Sequence, residues 1–223
     1  MKIKSKIRHL VVLLYLLFGR SRKNEMQGLT RVLVFHHLDK PDLFEKIVIL
    51  FKRRYNILSF QDFLDGKKSL DKMNIIISFD DGYKSWFNNG FKIFKRHEIK
   101  PIYFINSDFI DCKNDAARKY CTQYIKTWSE DSLEWSDVNS LLSIGGEIGS
   151  HTICHTDLSC DSLNNNDKFS RVMNDKILIE RILSKSVRAF SYPFGRWGNS
   201  ATKVVQSAGF KYAFTSDSGF LEE

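Results

Sequence analysis

The sequence predicts an α/β fold, a parallel sheet or barrel whose functional groups gather at the carboxyl ends of its strands. Three observations lead there. Apolar β-branched runs alternate along the chain with segments of helical periodicity. The central run, Ile75-Ile76-Ile77, is apolar at consecutive positions, as in a strand covered on both faces. It then breaks into Asp80-Asp81-Gly82, leaving two carboxylates where α/β proteins present their reactive groups.

The chain has 223 residues, 43% hydrophobic and 27% charged, which fits one globular domain with a sizeable core. Three prolines and twelve glycines argue against long linkers. The net charge of +8 is unevenly placed: residues 1–23 hold seven basic side chains and no acid, and the rest is nearly neutral, with 27 basic against 26 acidic residues. The basic balance therefore belongs to the N-terminus and gives no reason to expect nucleic acid. Four cysteines (Cys112, Cys121, Cys154, Cys160) lack paired CxxC spacing, which excludes zinc-ribbon and thioredoxin patterns and fits free thiols.

Residues 1–25 read as a basic, apolar membrane-associating segment and 26–223 as the domain that carries the strand-end carboxylates. Leu10–Phe18 is wholly apolar, but nine residues make a helix of only about 14 Å against a hydrocarbon core of roughly 30 Å. Ile3, Ile7, Leu10, Val11, Leu14 and Phe18 fall at helical spacing between basic ends. This suits a monotopic helix on an anionic membrane surface through residues 1–23. A signal peptide and a helix packed on its own domain are the alternatives. The absence of a small-residue cleavage site, with Arg20-Ser21-Arg22-Lys23 after the apolar run, points to the cytoplasmic face rather than export to the envelope.

The body then alternates. Arg31–Phe35 reads as a strand ending at His36-His37. A helical stripe over Asp42–Tyr55 leads to a short strand at 55–58. Ser59 is a helix N-cap ahead of Phe60, Phe63 and Leu64, with Gly66 closing the turn. After the carboxylate strand, Trp86–His97 is helical, and Pro101 introduces a strand at Ile102–Ile105. Residues 111–131 read as an irregular insertion or lid. A helix from Ser136 ends at Gly145-Gly146, and Glu147–Ser150 runs into His151-Thr152-Ile153-Cys154-His155. A helix over Asp167–Leu183, a strand over 187–191, a helix over Ala201–Ala208 and a strand over Tyr212–Thr215 complete the chain.

Adjacent strand residues face opposite sides, so Asp80 and Asp81 are expected to do different work. His151 and His155, four apart, share one face if their segment is helical and then reach one metal ion. Two imidazoles and a carboxylate make a site with open positions for water and substrate, and a second carboxylate beside it serves as base.

In their order and spacing, SFDDGY, PIYFI, EIGSHTICH and SYPFG resemble the polysaccharide deacetylase family (carbohydrate esterase family four, which includes the nodulation chitooligosaccharide deacetylases). The upstream VLVFHH resembles the start of the subgroup acting on poly-N-acetylglucosamine and surface polysaccharides, and the likeness spans about residues 31–215. The resemblance implies a distorted (β/α)7-type barrel and metal-dependent hydrolysis of N-acetyl groups on a glycan of the cell envelope or an exopolysaccharide. It assigns Asp80 as general base and Asp81, His151 and His155 as ligands of one divalent ion: Zn²⁺ first, with Co²⁺, Ni²⁺ or Fe²⁺ as alternatives. It assigns the leaving-group acid to His36. The oxyanion is then held by a backbone N–H of the Tyr192-Pro193-Phe194 turn, with Tyr192 the expected donor.

Two departures stand out. No histidine follows His155, and Ser191 stands where family members often carry an arginine that pairs with the catalytic aspartate. They motivate a rival reading, an inactive glycan-binding protein of the same fold.

Overall fold

The computed structural model describes residues 26–127 and 129–221; the expected N-terminal segment and Trp128 lie outside the described residues. Seven strands form one wholly parallel sheet, in the order β1 (Thr30–Phe35), β3 (Asn74–Asp81), β4 (Ile102–Ile105), β5 (Glu147–Ser150), β6 (Ala189–Ser191), β7 (Tyr212–Phe214), with β2 (Asn56–Leu58) also on β3. The sheet curls into an open barrel. Beyond β7 the C-terminal stretch turns back to β1, where the Leu221 N–H donates to the Thr30 carbonyl at 2.8 Å.

Two cores hold this sheet. Its concave side is filled by Val32, Ile76, Ile102, Phe104, Ala189 and Phe214 and plugged by Phe60 and Phe63. Both plugging rings sit on α2 (Phe60–Leu64), whose Ser59 cap accepts from the Asp62 N–H at 3.0 Å. The outer side is covered by α1 (Pro41–Arg54), α3 (Phe91–Arg96), α5 (Trp135–Ser143), α6 (Asn165–Leu183) and α7 (Asn199–Ser207). All eight residues of β3 are buried, as the run of apolar residues requires. Phe79 faces the outer core, against the rings of Phe35, Phe44, Trp86, Phe94 and Tyr103. A Cβ on Gly149 of β5 would collide with the Phe104 ring, so the glycine makes room for that side chain in the barrel.

The helix expected over Trp86–His97 forms, opening with one wide turn, Trp86–Gly90, before α3; one expectation needs correcting. The 111–131 stretch is not irregular: it contains α4 (Asn114–Tyr120) and a further wide turn, Cys121–Ile125. Ala117, Tyr120, Cys121 and Ile125 bury themselves in the outer core, and this apolar anchoring gives the stretch regular structure despite its polar composition.

Candidate metal centre

The site forms where β3, β5 and β6 end. At the end of β3 the backbone leaves regular strand geometry: Asp81 adopts φ 94°, outside the usual range of a side-chain-bearing residue, and Gly82 follows at φ 107°. Both carboxylates are buried, Asp80 8% and Asp81 1% exposed, and the charge of Asp80 acts on Asp81.

The histidines arrive by a turn, not the helix expected from their spacing. Thr152 and His155 take φ 63° and 51°, and the segment is non-helical throughout. The His151 N–H extends the ladder to the Ile105 carbonyl at 3.0 Å, the Asn106 amide donates to the carbonyls of His151 and Thr152, and Thr152 Oγ1 accepts from the Thr156 N–H at 2.6 Å. This folding brings the two imidazoles to a centroid distance of 4.9 Å.

Each imidazole is oriented through Nδ1. That of His151 meets the Ser191 carbonyl at 2.7 Å and that of His155 the Tyr124 carbonyl at 3.1 Å. A carbonyl only accepts, so the bonding pattern assigns the proton to Nδ1 and leaves the Nε2 lone pairs bare. Those atoms lie 3.7 Å (His151) and 3.3 Å (His155) from Asp81 Oδ1, and one ligand atom from each of the three residues falls within a 4.8 Å group. Bonds of about 2.1 Å to one tetrahedral ion would set ligand atoms about 3.4 Å apart. Neither oxygen of Asp81 has a well-aligned hydrogen-bond partner, although the nearby Tyr83 hydroxyl pulls its pKa down, and a buried carboxylate in that state is costly unless a cation faces it. Donor set, spacing and orphaned oxygens thus all fit a divalent ion.

Burial also sets the charge states. It pushes His151 well below the usual imidazole range and His155 down to about 4, keeping both neutral and able to ligate. Burial, reinforced by Asp80, raises Asp81 well above the carboxylate range. Asp80 is lifted by burial to about 7, against the opposing pull of the Ser191 hydroxyl, which donates to Oδ2 at 3.1 Å. Asp80 Oδ1 has no partner.

His36, just past β1, is exposed on its solvent side and crowded by protein on the other. That crowding and the neighbouring His37 lower its pKa, and it lies close enough for its charge to act on both His151 and His155. Its carbonyl is fixed by the Trp86 indole N–H at 2.6 Å.

The expected role of Tyr192 has to be corrected. Its N–H continues the β6–β7 ladder to the Phe214 carbonyl at 3.0 Å and is not available to an oxyanion. Within the Tyr192-Pro193-Phe194 turn the other amide is that of Phe194, whose φ of 60° turns the backbone at the mouth and whose ring packs edge-on against His155 at 4.4 Å.

Three supports were not foreseen from the sequence. Tyr124 acts through a backbone carbonyl and leaves no side-chain signature. Asn106 directly follows β4, and its position at a strand's carboxyl end was a usable signal. Asp175, buried in α6, accepts from the Ser107 N–H at 2.9 Å and from the Ser150 hydroxyl, and so ties together the strand ends before the histidine turn.

Several known proteins resemble this chain. A protein of Bacillus subtilis, YxkH, is 24% identical over 153 residues, covering 69% of this chain and 48% of its own length. The poly-β-1,6-N-acetyl-D-glucosamine N-deacetylase of Staphylococcus aureus is 24% identical over 170 residues, covering 71% of this chain and 53% of its own. The chain thus spans about half the length of these curated relatives. Among solved structures, the Streptococcus pyogenes deacetylase PplD in complex with acetate superposes with a TM-score of 0.70 at 17% identity, over 87% of this chain and 86% of that one. IcaB from Ammonifex degensii does so with a TM-score of 0.68 at 19% identity, over 84% of each chain. These two share the fold. The family model for polysaccharide deacetylase matches residues 67–213, a stretch that runs from before β3 into β7 and holds both carboxylates, both histidines and the Tyr192-Pro193-Phe194 turn, and the chain therefore belongs to the polysaccharide deacetylase family.

Proposed function

We propose that the protein is a divalent-metal-dependent hydrolase that removes N-acetyl groups from amino sugars of a cell-envelope or exopolysaccharide glycan. One observation carries this reading: a three-donor cluster and a second carboxylate with an unpartnered oxygen share one buried mouth. The name of the S. aureus relative supports β-1,6-linked N-acetylglucosamine as the substrate class.

Asp81, His151 and His155 would hold a divalent cation, and its Lewis acidity would polarise the acyl carbonyl and ease deprotonation of water. Asp80 Oδ1 takes a proton from the attacking water while Ser191 holds Oδ2. A pKa raised toward 7 makes Asp80 a stronger base than an ordinary carboxylate. The Phe194 N–H is the turn's donor to the acyl oxygen. His36 gives a proton to the amine as the C–N bond breaks and acetate departs. Because Ser191 keeps Asp80 oriented where the family often uses arginine, its presence favours an active enzyme over an inactive glycan binder.

Peripheral membrane contact through residues 1–23 belongs to the same proposal, supported by their seven basic side chains and apolar run. Among the described residues no helix is long and apolar enough to cross a membrane.

The test is acetate release from a β-1,6-linked N-acetylglucosamine oligomer in the presence of Zn²⁺ or Co²⁺. Release should occur with the wild type and stop in Asp80→Asn; undiminished release from the variant would refute the role given to Asp80.

A further inference from the structure

The turn after β6 carries exposed aromatic surface at the mouth of the site. Phe194 is 37% and Trp197 51% exposed. Single exposed apolar residues need no explanation, but two in one turn, one of them in ring contact with a candidate ligand, do. The turn is also held rigid. The Trp197 indole N–H donates to Asp217 Oδ2 at 2.6 Å, Arg196 pairs with Asp157 at 2.7 Å, and its guanidinium lies 5.4 Å from the centre of the Phe194 ring. Gly195, at φ 64°, sits so close to Ser216 that a Cβ would collide with its side chain. An indole fixed in place loses little freedom when a ligand covers it, and so binds more tightly than a mobile one.

The chemistry around the indole is that of a sugar site. A pyranose offers an apolar C–H face and a rim of hydroxyls. Trp197 presents a flat apolar face, with an exposed carboxylate (Asp217) and an exposed guanidinium (Arg196) beside it. A simple hydrophobic partner would make no use of these two polar groups at the rim.

We propose that Trp197, flanked by Asp217 and Arg196, forms a subsite for a sugar residue of the glycan next to the one whose N-acetyl group is attacked. This rests on the deacetylase reading and extends it: the enzyme would grip a chain of sugars rather than a single one.

The experiment uses the full chain and β-1,6-linked N-acetylglucosamine as monomer and pentamer, with two readouts. In steady-state kinetics the wild type should favour the pentamer, and Trp197→Ala should shrink that gain in kcat/KM by about tenfold, chiefly through KM. In fluorescence titration the pentamer should change the wild-type tryptophan emission, and Trp197→Phe should remove most of that change, leaving only what Trp86, Trp128 and Trp135 contribute. A thermal melt matching the wild type's shows that each variant is folded. An undiminished preference for the pentamer in Trp197→Ala, with the fluorescence response intact in Trp197→Phe, would overturn the subsite. A wild type that releases no acetate, yet gives a Trp197-dependent fluorescence response, would retain the subsite and sink the deacetylase reading instead.

Discussion

The Ser191 hydroxyl donates to Asp80 Oδ2 at 3.1 Å, and through this contact a neutral residue orients a buried carboxylate. The same residue's carbonyl accepts from His151 Nδ1 at 2.7 Å, so one position steadies both the proposed base and a proposed ligand. The second link is backbone and survives mutation; the first is not. Ser191→Ala should therefore leave metal content intact and lower kcat by roughly ten- to a hundredfold through lost positioning of Asp80. It also removes a hydrogen bond to the ionised form, so the acid limb of the kcat/KM profile should move to higher pH. A pH–rate profile superposing on that of the wild type would rule this role out.

Asp175 predicts a pH-dependent stability. Burial raises it to about 6 despite the bonds from Ser107 and Ser150, so it binds its proton more tightly folded than unfolded. Its favourable contribution is complete below the unfolded pKa near 4 and fades as pH climbs through about 6. The unfolding free energy of the wild type, relative to Asp175→Asn, should fall by about 2 kcal/mol between pH 4 and 6.5. Urea titrations at several pH values measure it, and a difference that stays flat would contradict the assignment.

Phe79 is the outer core's central ring. Truncating it to alanine deletes the contacts with Phe35, Phe44, Trp86, Phe94 and Tyr103 directly behind the carboxylates. Phe79→Ala should cost about 3–5 kcal/mol in equilibrium unfolding. A loss below about 1 kcal/mol would mean that this packing does not anchor β3.

Residues 1–23 predict sedimentation with vesicles. The full chain should pellet with liposomes containing anionic lipid and do so less as salt is raised, while a chain lacking residues 1–23 should stay in the supernatant. Equal partitioning of the two would end the membrane proposal.

Much of the fold was legible because its signals are local. The buried strand at 75–77, the cap at Ser59 and the alternation of elements each follow from neighbouring residues, and the strand at 102–105 lies where its sequence places it. What escaped depends on distant partners or on backbone conformation. Whether Tyr192 or Phe194 offers a free amide is decided by the pairing of β6 with β7, more than twenty residues later. His151 and His155 meet through two residues of positive φ, which His-x-x-x-His spacing alone does not distinguish from a helical turn. Side-chain alternation would have sent Asp81 away from Asp80, yet Asp81 takes φ 94° and feels the charge of Asp80. The 111–131 stretch looked like a lid because its buried residues are few and scattered, yet through Tyr124 it orients His155.

The most direct measurement is Zn²⁺ binding by calorimetric titration of the metal-free protein, repeated on Asp81→Asn and His155→Ala, with X-ray absorption on the loaded wild type. One ion should bind per wild-type chain, with scattering from nitrogen and oxygen at about 2.0–2.2 Å, and each substitution should weaken binding at least tenfold. Unaltered affinity in both variants would show that the cation, if one is needed, sits somewhere else.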